Sequence, residues 1–265
     1  MTIIFLATLG ARLFYWQDNH IEFEQQNTLA TGLFKNYQRE AERLVTQGGI
    51  LFPSQPIEQG DARMIIHPPG YSILLAILYG NDVTKSGSAR IRLLQVLCDS
   101  VAAVLVFLIA IEILPLAVAI IAGMLVALSP HLAYYSLWLT PESLSALPML
   151  LAIYLLARAI KKPRLITIIV AGVCVGLACW LRSNALLLAP FLGLAMFFQF
   201  ERSERMLYSA AFVGAMIIVI SPITIRNLVV FDRLIPLSIG AGIMMIEGIA
   251  DYDTENRLGA RRGRA

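Results

Sequence analysis

His67-Pro-Pro-Gly-Tyr71, running on as Ser-Ile-Leu-Leu-Ala-Ile-Leu-Tyr79-Gly80, decides how the rest of the chain lies. Two consecutive prolines fix an extended lead-in and can open a helix at its first position, where no N–H is needed. The apolar stretch behind them, Tyr71 to Tyr79, is too short for a hydrocarbon core, which takes roughly 20 residues to cross. Gly80-Asn-Asp-Val-Thr-Lys-Ser-Gly87 then ends it. If this segment crossed the membrane, every later loop would change sides. We read it as a juxtamembrane helix at the outer surface.

The wider composition makes a membrane the right frame. Of 265 residues 58% are hydrophobic and only 15% charged, with a mean hydropathy of +0.71. A soluble domain is less apolar and carries more charge, so the chain reads as an integral, multi-pass membrane protein. The net charge of +3 is too small to suggest a nucleic-acid partner. Cys98, Cys174 and Cys179 all sit inside apolar runs. They read as small core residues rather than as a disulfide, a metal site or a nucleophile.

Met1 to Trp16 is an apolar run interrupted by Arg12. It lacks the charged start and small-residue cleavage site of a secretory signal. It is read as a first span over 1–16, in which Arg12 snorkels to the outer interface, or else the true start lies upstream. Residues 17–89 form a polar first loop. Within it Leu33, Phe34, Tyr37, Ala41, Leu44 and Val45 recur at helical spacing among Lys35, Arg39, Glu40, Glu42 and Arg43. That pattern predicts an amphipathic helix lying in the interface. Candidate spans follow at 90–113, 115–133, 142–160, 165–182, 185–200 and 207–229, a bundle over 90–230, with a tail over 231–265. The expected fold is therefore all-α, a polytopic bundle of about seven spans with juxtamembrane helices in its first loop. No repeat and no low-complexity tract interrupts it.

Topology follows from the cationic loops. Arg158-Ala-Ile-Lys-Lys-Pro-Arg164 is the clearest basic loop and should be cytoplasmic. Glu201-Arg-Ser-Glu-Arg205 then shares that side. The loop 130–142, the turn at Arg182, everything after Arg226 and residues 17–89 face outward. The count closes only if 68–80 does not cross.

Four places put ionisable groups at that outer face. His67 precedes a helix whose free first-turn amides and positive dipole end would suit a phosphate, although His-Pro-Pro is also ordinary punctuation. In Leu139-Thr-Pro-Glu142, Thr140 has the form of an N-cap, Pro141 of a first helical residue, and Glu142 of an acid favoured by the dipole. Glu142 is also a possible metal ligand or sugar contact. Arg182 and Arg226 each end a span; such arginines often only snorkel, and their rigid forks also suit a phosphate. Asp18, Glu22, Glu24 and Asp61 are the first-loop acids, any of which can serve as a base or a solvated surface charge. Asp99 lies mid-span, where an acid is a functional suspect, or pairs with a neighbour such as Gln95.

Taken in order, these motifs carry a resemblance. His67-Pro-Pro-Gly-Tyr71 after a polar loop, Leu128-Ser-Pro130 followed by Leu139-Thr-Pro-Glu-Ser143, Gly176 leading to Arg182, and Ser221-Pro-Ile-Thr-Ile-Arg-Asn-Leu228 ahead of Pro236-Leu-Ser238 resemble the GT-C membrane glycosyltransferases. The nearest branch is similar to dolichyl-phosphate-mannose–protein mannosyltransferases, aminoarabinose transferases and lipopolysaccharide-core sugar transferases. The likeness covers about residues 1–250. It implies inverting transfer of a sugar from a polyprenyl-phosphate carrier to a protein, lipid or glycan acceptor. The reaction would occur on the outer face of the plasma or inner membrane. It implies further that Glu24, or second Glu22, is the general base, although the family's usual acid-to-tyrosine spacing is absent. Glu142 orients the acceptor, and Glu142 with His67 would hold Mg²⁺ or Mn²⁺. His67, Arg182 and Arg226 offset charge on the carrier phosphate.

Members of that family are generally longer. Here an acidic stretch from Asp251 gives way to Ala260-Arg-Arg-Gly-Arg-Ala265, which reads as a truncated or frame-shifted end leaving the catalytic half. Two other classes compete with the enzyme: a small-molecule transporter built on Asp99, and an inactive fragment acting as a scaffold.

Overall fold

The structure is a computed structural model that describes residues 1–23, 32–52, 65–79 and 85–240. Glu24, Asp61 and the tail beyond 240 lie outside the described residues. The chain is a membrane bundle of α-helices, with no strand among the described residues. They are α1 (Thr2–Asp18), α2 (Gly32–Gln47), α3 (Gly70–Tyr79), α4 (Lys85–Ile113), α5 (Leu116–Leu128), α6 (Pro130–Leu137), α7 (Glu142–Lys161), α8 (Leu165–Leu181), α9 (Ala185–Gln199) and α10 (Arg205–Phe231).

Among the described residues three helices are long and apolar enough to cross a bilayer: Ser88–Ile113, Glu142–Lys161 and Arg205–Phe231. α5 and α6 together make a fourth, bent by 51°. The bend sits at Pro130, which disfavours a helical residue before it. Ser129 is accordingly extended, and its hydroxyl caps the new helix by accepting from the Leu132 amide at 3.3 Å. α1, α8 and α9 are apolar but have only 17, 17 and 15 residues. At ten residues α3 is about half the length of a span.

α8 and α10 are packed backbone to backbone. A Cβ on Gly172 would stand 2.3 Å from the Phe212 carbonyl oxygen, and one on Gly176 2.6 Å from Val219 Cβ. This is a small-xxx-small face, the usual way for helices to approach closely in lipid. Large apolar side chains that face outward, among them Leu125, Phe191, Phe198 and Ile218, are the surface a bilayer covers.

Several expectations need correcting. Arg12 does not snorkel to an interface. It is fully buried, donating from Nε to Asp99 Oδ2 at 2.8 Å, from Nη2 to the Val126 carbonyl at 3.0 Å, and from Nη1 to the Ala127 carbonyl. Asp99 therefore pairs with Arg12 rather than Gln95, because a buried charge needs a charged partner more than an amide can supply. Thr140 is not the cap of α7. Pro141 holds that position without a side-chain bond, while the Thr140 amide donates to the Trp138 carbonyl at 2.8 Å in a tight turn. α2 exists as predicted, but its apolar face meets protein: Tyr37 and Ala41 pack with Tyr71, Leu75 and Tyr79 of α3. A protein surface of matching aromatic shape was available, so that face is covered by α3.

Candidate active site

Gly70 is where the site is assembled. A Cβ there would lie 2.4 Å from the Trp180 carbonyl oxygen, so only glycine lets the start of α3 rest on the last turn of α8. That contact carries His67 towards Arg182, the residue that caps α8 in extended conformation. Arg182 Nη1 in turn donates to Glu142 Oε1, a salt bridge joining the end of α8 to the start of α7. Each side chain is a little over one third exposed, at 36% and 37%, so the pair sits at a wet mouth rather than in the core.

His67 belongs to the same group. Burial lowers its pKa, the Arg182 guanidinium lowers it further, and Glu142 opposes both. The imidazole is therefore neutral near pH 7, with a lone pair to offer instead of a charge. Tyr37 of α2 stacks on it, ring centroids 4.8 Å apart, and meets Tyr71 edge-on at 5.2 Å. Burial, followed by the Glu142 carboxylate, pushes the Tyr37 phenol above its ordinary range, so it stays protonated as a donor.

Behind this mouth lies a buried amide hub. Tyr71 donates its hydroxyl to Gln95 Oε1 at 3.3 Å, while Gln95 Nε2 donates to the Trp138 carbonyl at 2.7 Å and Ser143 Oγ at 2.9 Å. Gln95 thereby fixes α3 and the entrance of α7 to the long helix α4. Glu142 Oε2, by contrast, is buried and takes no hydrogen bond from any described residue. A buried carboxylate oxygen left so is costly unless something donates to it, and the same carboxylate acts on His67.

Arg226 ends the same side of the bundle but belongs to a neighbouring group. It is 3% exposed, its Nε and Nη2 donating to Asn227 Oδ1 at 3.1 and 2.9 Å. Asn227 Nδ2 donates in turn to the carbonyls of Ile235 and Leu237. The charges acting on Arg226 are Glu40 and Arg43 of α2, themselves joined through two bonds of 3.1 and 2.8 Å. The segment after α10 closes over the mouth's other edge, the Ile239 amide donating to the Ile65 carbonyl at 2.8 Å.

Thus His67, Glu142 and Arg182 converge, and Arg226 stands beside them, buried. Glu24 falls outside the described residues; Asp18 and Glu22 are exposed on the chain just before it. No group of three or more metal-binding side chains occurs among the described residues. Tyr37, Gln95 and Ser143 were not singled out for this mouth from sequence. The only signal is that Tyr37 carries a hydroxyl on a helix face whose other residues, Leu33, Phe34, Ala41, Leu44 and Val45, have no polar group.

The sequence model of the family described as dolichyl-phosphate-mannose-protein mannosyltransferase matches residues 66–225, well over half of the chain. The chain belongs to that family. No curated protein and no solved structure matches it. As a member of the mannosyltransferase family it is a membrane glycosyltransferase, and the matched region begins one residue before His67 and includes Glu142 and Arg182. The GT-C expectation from the sequence motifs is met. The transporter alternative loses its chief residue, because Asp99 has a structural partner in Arg12.

Proposed function

We propose that this mannosyltransferase-family protein moves a sugar, with inversion, from a polyprenyl-phosphate donor to an acceptor hydroxyl at the outer face of the plasma or inner membrane. The observation that carries the reading is the meeting of His67, Glu142 and Arg182 at one mouth of the bundle, beside a buried carboxylate oxygen that has no donor among the described residues.

In this reaction the acceptor oxygen attacks the anomeric carbon on the side opposite the phosphate. The acceptor proton passes to a first-loop carboxylate, for which Glu24 is the proposed base and Glu22 the second choice. The bond between anomeric carbon and phosphate oxygen breaks, and its electron pair leaves on the phosphate. Arg182 donates to that oxygen as charge accumulates, an interaction stronger in the transition state than before it. His67, neutral at rest, hydrogen-bonds the same phosphate and is drawn towards protonation by its growing charge. Glu142 holds Arg182 in place through Oε1 and accepts from an acceptor hydroxyl through Oε2. Arg226, with Arg43 behind it, extends positive potential towards the carrier.

A divalent cation fits only in part. Glu142 Oε2 and His67 would be the protein groups to hold it, with the donor phosphate and water supplying the other ligands. Mg²⁺ or Mn²⁺ there would supply further neutralisation of the leaving phosphate.

The test is sugar transfer in proteoliposomes from radiolabelled polyprenyl-phosphate mannose, with the product anomer read by NMR. Glu142→Gln keeps the shape but removes the charge and is expected to lower kcat about a hundredfold. Unchanged transfer by that variant, or retention of configuration, would refute the proposal.

A further inference from the structure

At the end of the bundle opposite the candidate site, a cavity of about 420 Å³ opens where α4 finishes, α7 finishes and α8 begins. Its lining holds four cations, Arg158, Lys161, Lys162 and Arg164, against one carboxylate, Glu112. Two of the cations are held in place. Lys161 Nζ donates at 2.7 Å to both the Glu112 carboxylate and its main-chain carbonyl. Arg158 Nη1 donates to the Tyr154 hydroxyl at 3.2 Å. No described carboxylate pairs with Lys162 or Arg164, and Pro163 between them stiffens the loop that spaces them.

Positive loops alone satisfy the topology rule and need no cavity. Here the cations line a concavity large enough for a small ligand, between the ends of two helices long and apolar enough to cross a bilayer. On the same three helix ends Ile113, Ile160 and Ile166 are exposed apolar side chains, and Leu155 is in the lining itself. A free anion would gain nothing from those apolar side chains, whereas a lipid seated here would lay its acyl chains along the outward faces of the same helices. We propose that this cavity is a seat for the headgroup of an anionic membrane phospholipid, separate from the donor carrier at the other end. A basic pocket between spans at the predicted cytoplasmic face is the chemistry that holds a phosphodiester.

The test uses the full chain in nanodiscs of mixed phosphatidylglycerol and phosphatidylcholine, with retained lipid measured by native mass spectrometry. The unmodified chain should retain phosphatidylglycerol in preference. Lys162→Gln and Arg164→Gln, both at exposed positions, should each weaken that retention about fivefold. Arg202→Gln, which removes an exposed cation from the other loop on the same face, should leave it unchanged. Equal loss in all three variants would mean diffuse attraction and would overturn the seat. So would absence of any preference in the unmodified chain, a measurement that needs no variant to fold. Displacement of the lipid by millimolar inorganic phosphate would make the site one for free anions and would overturn the lipid assignment.

Discussion

His67 shows how one side chain changes meaning between sequence and structure. From sequence it was a basic group facing a phosphate. Inside the mouth, burial and Arg182 lower its pKa, so it reaches the reaction neutral. The consequence for stability has a definite sign. The unfolded chain binds this proton at the ordinary value of about 6.5, more readily than the folded one. The His67 contribution is therefore complete above that value and is lost as the pH falls below it. Thermal unfolding in detergent between about pH 7 and pH 5 should show a decline that His67→Gln flattens; an identical decline in the variant would contradict the shift. Glu142 and Arg182, by contrast, are exposed enough that their bond contributes only about 0–1 kcal/mol to folding. Glu142→Gln should thus unfold at close to the parental temperature while losing transfer, which separates a functional role from a structural one.

At the scale of elements, the helices were legible wherever apolar periodicity met a clear punctuation. Pro141 starts α7 within a residue of where the sequence puts it, whereas α6 occupies residues that the sequence divides between the end of a span over 115–133 and an outward loop over 130–142, because Pro130 breaks one helix and opens another. The short length of α3 follows from Pro68-Pro69 before it and Gly80 after it. What sequence could not supply was the partner of each face. The amphipathic pattern of α2 is the same for a helix on lipid and a helix on protein; only Tyr71 and Tyr79, distant in sequence, settle it. The joining of Arg182 to Glu142 was likewise illegible, since it depends on α7 and α8 running antiparallel with a close fit at Gly70. That fit can be tested. Gly70→Ala drives a Cβ into the Trp180 backbone and should cost about 1–3 kcal/mol, lowering transfer as α3 and His67 move away. Gly214→Ala, where an added Cβ meets nothing within 4 Å, should unfold and transfer like the parent. Equal behaviour of the two variants would remove Gly70 from the account.

Over the whole molecule the charges are ordered by end. One end gathers His67, Glu142, Arg182 and Arg226; the other gathers Arg158, Lys161, Lys162 and Arg164. Between them, the Arg12–Asp99 pair ties α1 to α4, and Arg12 also reaches carbonyls at the end of α5. Asp99 is conspicuous in sequence because it is charged mid-span; Arg12 has the look of an edge residue because its partner is 87 positions away. Asp99→Asn leaves a buried guanidinium unpaired and should cost about 3–5 kcal/mol, with no solute flux gained or lost in liposomes. Arg12→Met with Asp99→Leu removes both charges and should recover much of that loss. A double variant as unstable as the single one would show that the pair is not what holds these helices together.

The grip on a phosphate at the mouth where α7 and α8 meet is the step on which the proposed transfer depends. The most direct measurement is equilibrium binding of polyprenyl phosphate, the spent carrier, to the purified chain in detergent. Removing one charge-assisted donor should weaken it between about tenfold and a hundredfold, so Arg182→Gln is expected to bind that much less tightly while remaining folded. Parental affinity in a folded Arg182→Gln protein would contradict the account.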